Sequence, residues 1–206
     1  MISMLLSEAA KTVGSSLDGE DVVFCGCSTD SRTIEKGNLF IALKGDYFDG
    51  HQYISVAEKK GASSLIVDRG TPNTKPFVKV KNTRKAMGLL AKSWREKITI
   101  PLIAITGSNG KTTVKEMVTS ILSTVSSVHS TSGNLNNDIG VPKTLFGLNE
   151  SHNYAVVEMG ANKSGEIEWL SKISSPNVAV ITQCAPAHLE GFKNIENVAK
   201  AKAEIY

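Results

Sequence analysis

The residue types best suited to chemistry lie between residues 102 and 113, where the chain reads LIAITGSNGKTT. An apolar, β-branched run leads into a glycine-bearing turn and then into Lys111, Thr112 and Thr113. Glycine lets backbone N–H groups approach phosphate oxygens, and a helix that starts after the turn adds further donors. Lysine can neutralise β- and γ-phosphates, and the hydroxyl that follows it can ligate Mg²⁺. The order of these residues therefore predicts a phosphate-binding loop for a nucleotide.

The loop departs from the usual G-x-x-x-x-G-K-[ST] pattern, because Ile105 stands where that pattern has its first glycine. A glycine turn that only caps an αβ unit is the alternative to the phosphate interpretation. We favour phosphate binding because the strand, both glycines, the Lys-Thr pair and the helix follow in the required order. The helix has an apolar stripe that we expect to face the core. The stripe consists of Val114, Met117, Val118, Ile121 and Leu122.

Three more side chains could take part in chemistry; they follow predicted strands or lie in the last predicted helix. Glu158 ends the strand YAVVEM, where an unpaired carboxylate is costly to bury, and we favour Mg²⁺ ligation over a structural salt bridge. His188 follows the strand NVAVIT and fits a functional or an ordinary surface histidine equally well. Lys202 lies in an apolar stripe, from which lysines usually snorkel into solvent; if it is buried, its amine is nucleophilic enough to react with carbon dioxide.

Polar loops elsewhere in the chain are further candidates for binding. The segment GNLNNDIGVP carries Asn134, Asn136 and Asn137. Asparagine-rich loops mostly form turns, but beside a phosphate site their amides could bind phosphate or a substrate carboxylate. STDSR (residues 28–32) and LKGDYFDGHQY (residues 43–53) are polar loops after strands.

The elements around these residues predict an α/β fold. Residues 1–81 mix short strands and helices, and NTRKAMGLLAKSWREK over residues 82–97 has helical spacing. Strands then alternate with helices, which predicts a parallel sheet with ligands beyond the carboxyl ends of its strands. We place the junction between a small mixed α/β domain and this parallel-sheet P-loop domain at residue 82. The first fourteen residues predict an amphipathic helix rather than a signal peptide.

Composition narrows the class of protein further. With 41% hydrophobic and 21% charged residues, the 206-residue chain has the balance of a soluble globular protein. A net charge of +3 is too small to indicate a nucleic-acid or anionic-membrane partner, and no apolar run is long enough to span a bilayer. The three cysteines, Cys25, Cys27 and Cys184, match neither a disulfide framework nor a zinc site, so we expect reduced cytosolic thiols.

The ordered set of motifs resembles the Mur ligase family, the ATP-dependent amide-forming enzymes of peptidoglycan precursor synthesis. ITGSNGKTT is similar to the family's short phosphate loop, and the other matching strings follow in the family's order: GNLNNDIGVP, VVEMGA, APAHLEGF and AKAEIY. The member that adds D-alanyl-D-alanine to UDP-N-acetylmuramoyl-tripeptide through an acyl phosphate is the most similar one, on the combination of STDSR, GNLF-IALKG and DGH with GNLNNDIGVP and VVEMGA. Alternatives are a Mur ligase for another amino acid, a non-catalytic module that binds a UDP-sugar peptide or phosphate, and an ordinary P-loop kinase.

The resemblance implies ATP and two Mg²⁺ ions as cofactors and a role for each matching residue. The implied ATP-binding residues are Gly107, Ser108, Asn109, Gly110, Lys111, Thr112, Thr113, Asn134 and Asn137. The implied catalytic residues are Lys111, Glu158, His188 and Lys202. Thr112 and Glu158 would ligate one metal, and His188 and a carbamylated Lys202 would ligate the other. The implied UDP-binding residues are Ser31, Arg32, Lys44, Gly45, Asp46, Tyr47 and Phe48.

Family members continue beyond a helix like AKAEIY with the rest of the central sheet and a C-terminal domain. We therefore expect an N-terminal fragment that is inactive by itself, with a UDP-substrate domain at residues 1–81 and a truncated ATP-binding domain at residues 82–206. We also expect a monomeric enzyme of the bacterial cytoplasm, with neither nucleic acid nor a membrane as partner.

Overall fold

The fold is known from a computed structural model, which describes residues 1–72, 74–186 and 189–206. The chain divides into two compact units, Met1–Ser93 and Trp94–Tyr206. The predicted junction at residue 82 lies earlier, at the start of a helix that runs through this division. Across the described ranges, no helix is both long enough and apolar enough to cross a membrane.

The first unit is built from short strands and helices, as predicted. Its strands are β1 (Ser3–Leu5), β2 (Leu17–Asp18), β3 (Val23–Cys25), β4 (Cys27–Ser28), β5 (Leu39–Ile41), β6 (Ser64–Val67) and β7 (Phe77–Lys79). Its helices are α1 (Leu6–Thr12), α2 (Ile54–Lys59) and the start of α3 (Thr83–Lys97), and a 3-10 helix covers Gly50–Tyr53. The helix predicted over residues 82–97 is thus confirmed as α3.

A mixed sheet in the order β2-β7-β6-β5-β4 forms the centre of this unit. Strands β4 to β7 pair in parallel, and β2 is antiparallel to β7. Phe40 and Leu65 are fully buried on neighbouring strands and pack in one cluster with Ala57 of α2. Because β4 and β5 are parallel neighbours, the two polar loops at residues 28–32 and 43–53 follow strand ends at the same sheet edge.

The start of the chain differs from the predicted amphipathic helix. Ser3–Leu5 form β1, which pairs antiparallel with β3, and only Leu6–Thr12 is helical. The strand forms because Met4 and Phe24 stand opposite each other and are both buried, a contact between distant parts of the chain. The prediction was therefore wrong for the first residues and right for α1.

The second unit contains the predicted parallel sheet. Its strands are β8 (Leu102–Thr106), β9 (Val128–Ser130), β10 (Tyr154–Glu158) and β11 (Val178–Ile181). Its helices are the end of α3, α4 (Lys111–Ser123), α5 (Gly140–Phe146), α6 (Glu166–Ser174), α7 (Leu189–Phe192) and α8 (Ile195–Ala203). The order is β11-β8-β10-β9 with all pairs parallel, which confirms the α/β class. The carboxyl ends of all these strands therefore lie at one sheet edge.

Helix α4 packs with a different face from the one predicted. Met117 and Ile121 are 59% and 67% exposed, whereas Lys115 is buried. Val114, Val118 and Leu122 are half-buried, so the packed face is rotated from the expected stripe towards Lys115. The expectation of an entirely apolar core-facing stripe was wrong, because a lysine takes a central place in it.

Candidate functional site

The turn after β8 requires glycine at two positions. Gly107 has a φ of +151°, and a Cβ atom there would lie 2.0 Å from the side-chain oxygen of Thr182. Gly110 has a φ of +77° at the N-cap of α4, a conformation that favours glycine. The glycines singled out in the sequence are therefore needed by the backbone path of the loop.

The loop is held from the side of β11. The backbone N–H of Ser108 donates to the carbonyl of Gln183 at 2.8 Å, and its hydroxyl donates to the carbonyl of Ala185 at 2.9 Å. The Thr182 hydroxyl donates to the carbonyl of Asn109 at 2.5 Å. These bonds fix the path of the loop before any ligand binds.

The start of α4 forms the floor of this loop. Its N-cap, Gly110, has no side chain that could accept from the first-turn N–H groups, which makes the helix start suited to an anion. The Lys111 ammonium donates to the carbonyl of Gly107 at 2.8 Å and so lies against the loop. Thr113 is exposed in the same first turn.

Glu158 and Thr112 meet at the edge of the sheet. The Thr112 hydroxyl donates to Oε2 of Glu158 at 2.9 Å, and the side-chain amide of Asn136 donates to Oε1 at 2.8 Å. Glu158 is only 2% exposed, so its orientation is set by these two partners. The structure thus brings together two oxygen-bearing side chains that the sequence predicted to share a metal.

The spacing of these oxygens fits Mg²⁺. Ligands at about 2.1 Å on adjacent octahedral positions lie about 3.0 Å from each other. The distance between the Thr112 hydroxyl and Oε2 of Glu158 is 2.9 Å. Hydroxyl and carboxylate oxygens are the hard ligands that Mg²⁺ prefers, so chemistry and spacing agree.

The three asparagines of the loop before α5 have different hydrogen-bond partners. Asn136 contacts Glu158, whereas Oδ1 of Asn137 accepts from the N–H groups of Ile139 and Gly140 at the start of α5. Asn134 is exposed, and its carbonyl accepts from the N–H of Asn136. The sequence placed Asn136 in a candidate loop but selected its two neighbours for the ATP site.

Lys202 is buried in the second unit, on α8. Its side chain is 2% exposed, and its Nζ lies 5.8 Å from the ring centre of Phe192. Burial lowers the pKa of Lys202, and the positive charge of Lys111 lowers it further. The burial that the chemical interpretation required is therefore present, and the snorkelling alternative was wrong. His188 lies outside the described residues.

The candidate loops of the first unit are mostly exposed. Arg32 is held by Asp30 through a bidentate pair, with its Nη2 2.7 Å from Oδ2, and Ser31 beside it is buried. The exposed ring of Phe48 stacks on Tyr53 at 5.2 Å between ring centres, and Tyr47 is fully exposed. Lys44 and Asp46 are exposed and Gly45 is half-buried in the same turn.

A charged network that sequence reasoning missed underlies this turn. His51 lies between two carboxylates, with Nδ1 2.9 Å from Asp49 and Nε2 3.1 Å from Asp68, and Arg69 contacts both acids. Although desolvation by itself raises it, the pKa of Asp49 is lowered to about 2, because His51 and Arg69 hydrogen-bond its charged form. The D-x-H spacing at residues 49–51 was the available signal for this network.

Comparisons with known proteins place these features in a family. The family model described as "Mur ligase middle domain" matches residues 105–206, and the one described as "Mur ligase family, catalytic domain" matches residues 24–95. The chain is 45% identical over 206 residues to the UDP-N-acetylmuramoyl-tripeptide–D-alanyl-D-alanine ligase of Escherichia coli, covering 100% of this chain and 46% of that relative.

Solved structures give the same result. The chain matches a crystal structure of MurF from Acinetobacter baumannii with a TM-score of 0.94 and 38% identity, over 100% of this chain and 46% of that one. It also matches MurF ligase from Thermotoga maritima, solved in complex with ADP, with a TM-score of 0.82 and 34% identity over 87% of this chain and 42% of that one. The chain thus spans about half the length of the relatives it matches.

Proposed function

Because the chain belongs to the Mur ligase family, we propose that it supplies the nucleotide site and the UDP-substrate loops of an ATP-dependent amide ligase. The proposed reaction joins D-alanyl-D-alanine to UDP-N-acetylmuramoyl-tripeptide, as the names of the similar enzymes state for those proteins. ATP and a UDP-linked precursor are cytoplasmic compounds, so the proposal places the reaction in the bacterial cytoplasm. The chain spans about half the length of these relatives, so the whole reaction is proposed for the longer protein that contains it.

The observation that carries the proposal is the pair of Thr112 and Glu158 beside the glycine loop. A phosphate loop alone is compatible with many nucleotide-binding proteins. A buried carboxylate 2.9 Å from the hydroxyl that follows the loop lysine adds a divalent-cation site at the phosphates. Such a cation site would assist activation of a carboxylate by ATP, because an anionic oxygen must approach an anionic phosphate.

The residues of the loop then divide the work on ATP. Backbone N–H groups from Asn109 to Thr113 would bind the phosphate oxygens, and the Lys111 ammonium would neutralise the γ-phosphate. Thr112 and Glu158 would hold Mg²⁺, which withdraws charge from the phosphate oxygens when it is bound. Asn136 orients Glu158 through its 2.8 Å hydrogen bond.

Lys202 is proposed to serve a second metal. Its lowered pKa increases the fraction of neutral amine, and a neutral amine can add to carbon dioxide to give a carbamate and a proton. A carbamate oxygen is a metal ligand, whereas a lysine ammonium is not. His188, outside the described residues, is proposed as a second ligand there.

The loops of the first unit are proposed to bind the UDP part of the substrate. Arg32 offers a planar donor group suited to a diphosphate, and Ser31 lies beside it. Lys44, with Gly45, Asp46, Tyr47 and Phe48, forms an exposed turn whose cation and rings suit a nucleotide.

The proposed chemistry has two steps. A carboxylate oxygen of the tripeptide attacks the γ-phosphorus, the bond to the β,γ-bridging oxygen breaks, and an acyl phosphate and ADP form. The amine of D-alanyl-D-alanine then attacks the acyl carbon, phosphate leaves and the amine loses a proton. Lys111 stabilises the charge that gathers on the transferred phosphoryl group in the first step.

The test is an assay of phosphate release on the longest gene product that contains this chain. ATP, Mg²⁺, UDP-N-acetylmuramoyl-tripeptide and D-alanyl-D-alanine are supplied, and mass spectrometry identifies the amide product. We expect phosphate release that requires both organic substrates, and little or none from the 206-residue chain alone.

Matched variants separate the ligase from a binding module. Thr112→Val should abolish release, whereas Thr124→Val, which removes a hydroxyl at the exposed end of α4, should retain it. Binding of the UDP-linked substrate without any phosphate release would favour the non-catalytic alternative. Release with a different amine in place of D-alanyl-D-alanine would reassign the substrate within the family.

A further inference from the structure

Helix α4 buries a charged side chain that the proposed reaction does not use. Lys115 is 2% exposed, and its Nζ donates to the carbonyl of Thr131 at 2.8 Å and lies 2.5 Å from Oε1 of Glu116. A buried ammonium is costly unless hydrogen bonds compensate its lost hydration. Its direction is therefore specific: it reaches from the phosphate-loop helix to the end of β9.

Thr131, the residue that receives this bond, is itself a junction. It is 1% exposed, and its N–H donates to the carbonyl of Val156 on β10 at 3.0 Å. Its hydroxyl accepts from the N–H of Glu158 at 2.9 Å. Thr131 therefore connects Lys115 to the backbone of the residue that carries the candidate metal-binding carboxylate.

The segment that begins at Thr131 also ends on Glu158. Asn136 donates from its side chain to Oε1 of Glu158, and its carbonyl accepts from the N–H of Gly160 at 2.8 Å. A Cβ atom at Gly160 would lie 2.9 Å from Oδ1 of Asn136, so the two segments are in close contact. The segment at residues 131–136 is thus fastened to the Glu158 strand at both ends.

We propose that Lys115 is a positioning residue, which ties α4, the carrier of Thr112, to the 131–136 segment that orients Glu158, and so determines the affinity for the catalytic cation. The inference rests on the proposed function, because it assumes that Thr112 and Glu158 share a divalent cation. Partners behind the ligands of a metal commonly change its affinity by about 10- to 100-fold. Without Lys115 the buried carbonyl of Thr131 loses its donor, and the spacing between Thr112 and Glu158 is no longer held from the side of α4.

The test measures cation binding directly. Mn²⁺, which shares the preference of Mg²⁺ for oxygen ligands, is titrated into the longest gene product that contains this chain, with saturating ADP, and followed by electron paramagnetic resonance. Lys115→Met keeps much of the side-chain length and removes the donor. We expect it to weaken Mn²⁺ binding at least about tenfold, while ADP binding without metal stays within about twofold, because Lys115 contacts neither the glycine loop nor Thr112 in the bonds described above.

Two controls lie on the same helix. Thr119→Val removes a buried hydroxyl that has no hydrogen-bond partner within the described residues, one turn after Lys115. Glu116→Gln removes the charge beside Lys115 and leaves the Thr131 contact in place. Both should bind Mn²⁺ within about twofold of the unaltered chain, since neither touches the link to Thr131.

A double-mutant cycle locates the effect. If Lys115 acts through the 131–136 segment, the losses from Lys115→Met and Asn136→Ala should not add, because either change frees the same segment. Full additivity would contradict this route. Equal Mn²⁺ affinity in folded Lys115→Met and the unaltered chain would overturn the proposal.

A second measurement needs no variant and covers the case in which Lys115→Met fails to fold. In the unaltered chain, Mg²⁺ with ADP should slow the acetylation of the Lys115 amine by acetic anhydride, measured by peptide mass spectrometry, because a bound cation stabilises the linked segment. An unchanged rate at Lys115 would contradict the inference. Failure of the unaltered chain to bind Mn²⁺ with ADP would instead contradict the proposed nucleotide site.

Discussion

The two candidate sites of this chain are built in opposite ways. In the second unit, the Thr112 hydroxyl, the Glu158 carboxylate and the Asn136 amide converge by hydrogen bonds of 2.8 and 2.9 Å around a carboxylate that is 2% exposed. In the first unit, Arg32 pairs with its near neighbour Asp30, and the ring of Tyr47 is fully exposed. The side chains of the second-unit site are already held together by hydrogen bonds, whereas those of the first-unit site are mostly exposed on loops.

The difference follows from the chemistry proposed for each region. A cation between a hydroxyl and a carboxylate needs oxygens at a fixed spacing, and preorganised dipoles lower the barrier to phosphoryl transfer. Anchoring a nucleotide by an exposed loop needs donors and rings that can close on the ligand. In the first unit, the ordered contacts are instead those of His51 with Asp49 and Asp68, next to the exposed turn.

The largest difference between the two sites is expected when the charge of the buried Glu158 carboxylate is removed. Glu158→Gln keeps the shape of the side chain but removes the charge that would hold Mg²⁺. We expect phosphate release by the longest gene product to fall by about 10³-fold. Glu168→Gln, an equivalent change at an exposed position of α6, should leave release unchanged. Comparable activity in both variants would contradict the assignment of Glu158.

The two neighbouring asparagines should separate orientation of the metal ligand from local stability. Asn136→Ala should weaken Mn²⁺ binding by about 10- to 100-fold, because Glu158 loses the donor that orients it. Asn137→Ala should instead lower the free energy of unfolding by about 0.5–2 kcal/mol, since Asn137 supports the start of α5. Cation titration and urea unfolding of both variants check this, and an interchange of the two effects would refute it.

The network beneath the exposed loop should show a defined pH dependence. The pKa of Asp49 is lowered from 3.8 to about 2, so its ionised form stabilises the fold above pH 3.8, and this stabilisation is lost as the pH falls towards 2. Asp49→Asn should lower the free energy of unfolding by about 1–3 kcal/mol at pH 7. The difference from the unaltered chain should be smaller at pH 3 in urea unfolding. A difference that grew at pH 3 would contradict the direction of the shift.

The exposed ion pair of Arg32 and Asp30 in the first unit should affect substrate binding much more than the free energy of unfolding. Arg32→Ala should leave the free energy of unfolding nearly unchanged, because surface ion pairs contribute little. The KM for the UDP-linked substrate should rise about tenfold, as one charge-assisted hydrogen bond is lost. Lys11→Ala, which removes a positive charge from α1, serves as the control. An unchanged KM in Arg32→Ala would remove this residue from the substrate site.

The site residues at the ends of the strands were predictable from the sequence, because each is indicated by the few residues around it. The run from Leu102 to Thr113 specifies a strand, a glycine loop and a helix start, and Glu158 ends a second apolar strand. Parallel strands bring their carboxyl ends to one edge, so Thr112 and Glu158 could be expected to meet. The hydrogen bond between them bears out this geometric reasoning.

Features that depend on distant contacts were not predictable in this way. Three asparagines lie within four residues, and nothing in the sequence distinguishes them. The contact between Asn136 and Glu158 appears only in the folded chain. Ser3–Leu5 become a strand because Val23–Cys25 are available to pair with them. Lys115 is polar in an apolar face, and its partner is a backbone carbonyl, which leaves no trace in the pattern of side chains.

The most direct test of a prebuilt cation site is a crystal structure of this chain with Mg²⁺ and a non-hydrolysable ATP analogue. We predict Mg²⁺ about 2.1 Å from the Thr112 hydroxyl and from a carboxylate oxygen of Glu158, with the phosphates over the Gly107–Lys111 loop. The Thr112 hydroxyl would then give its oxygen to the metal rather than its proton to Glu158. A bound nucleotide with the cation elsewhere, and the Thr112–Glu158 hydrogen bond intact, would contradict the account.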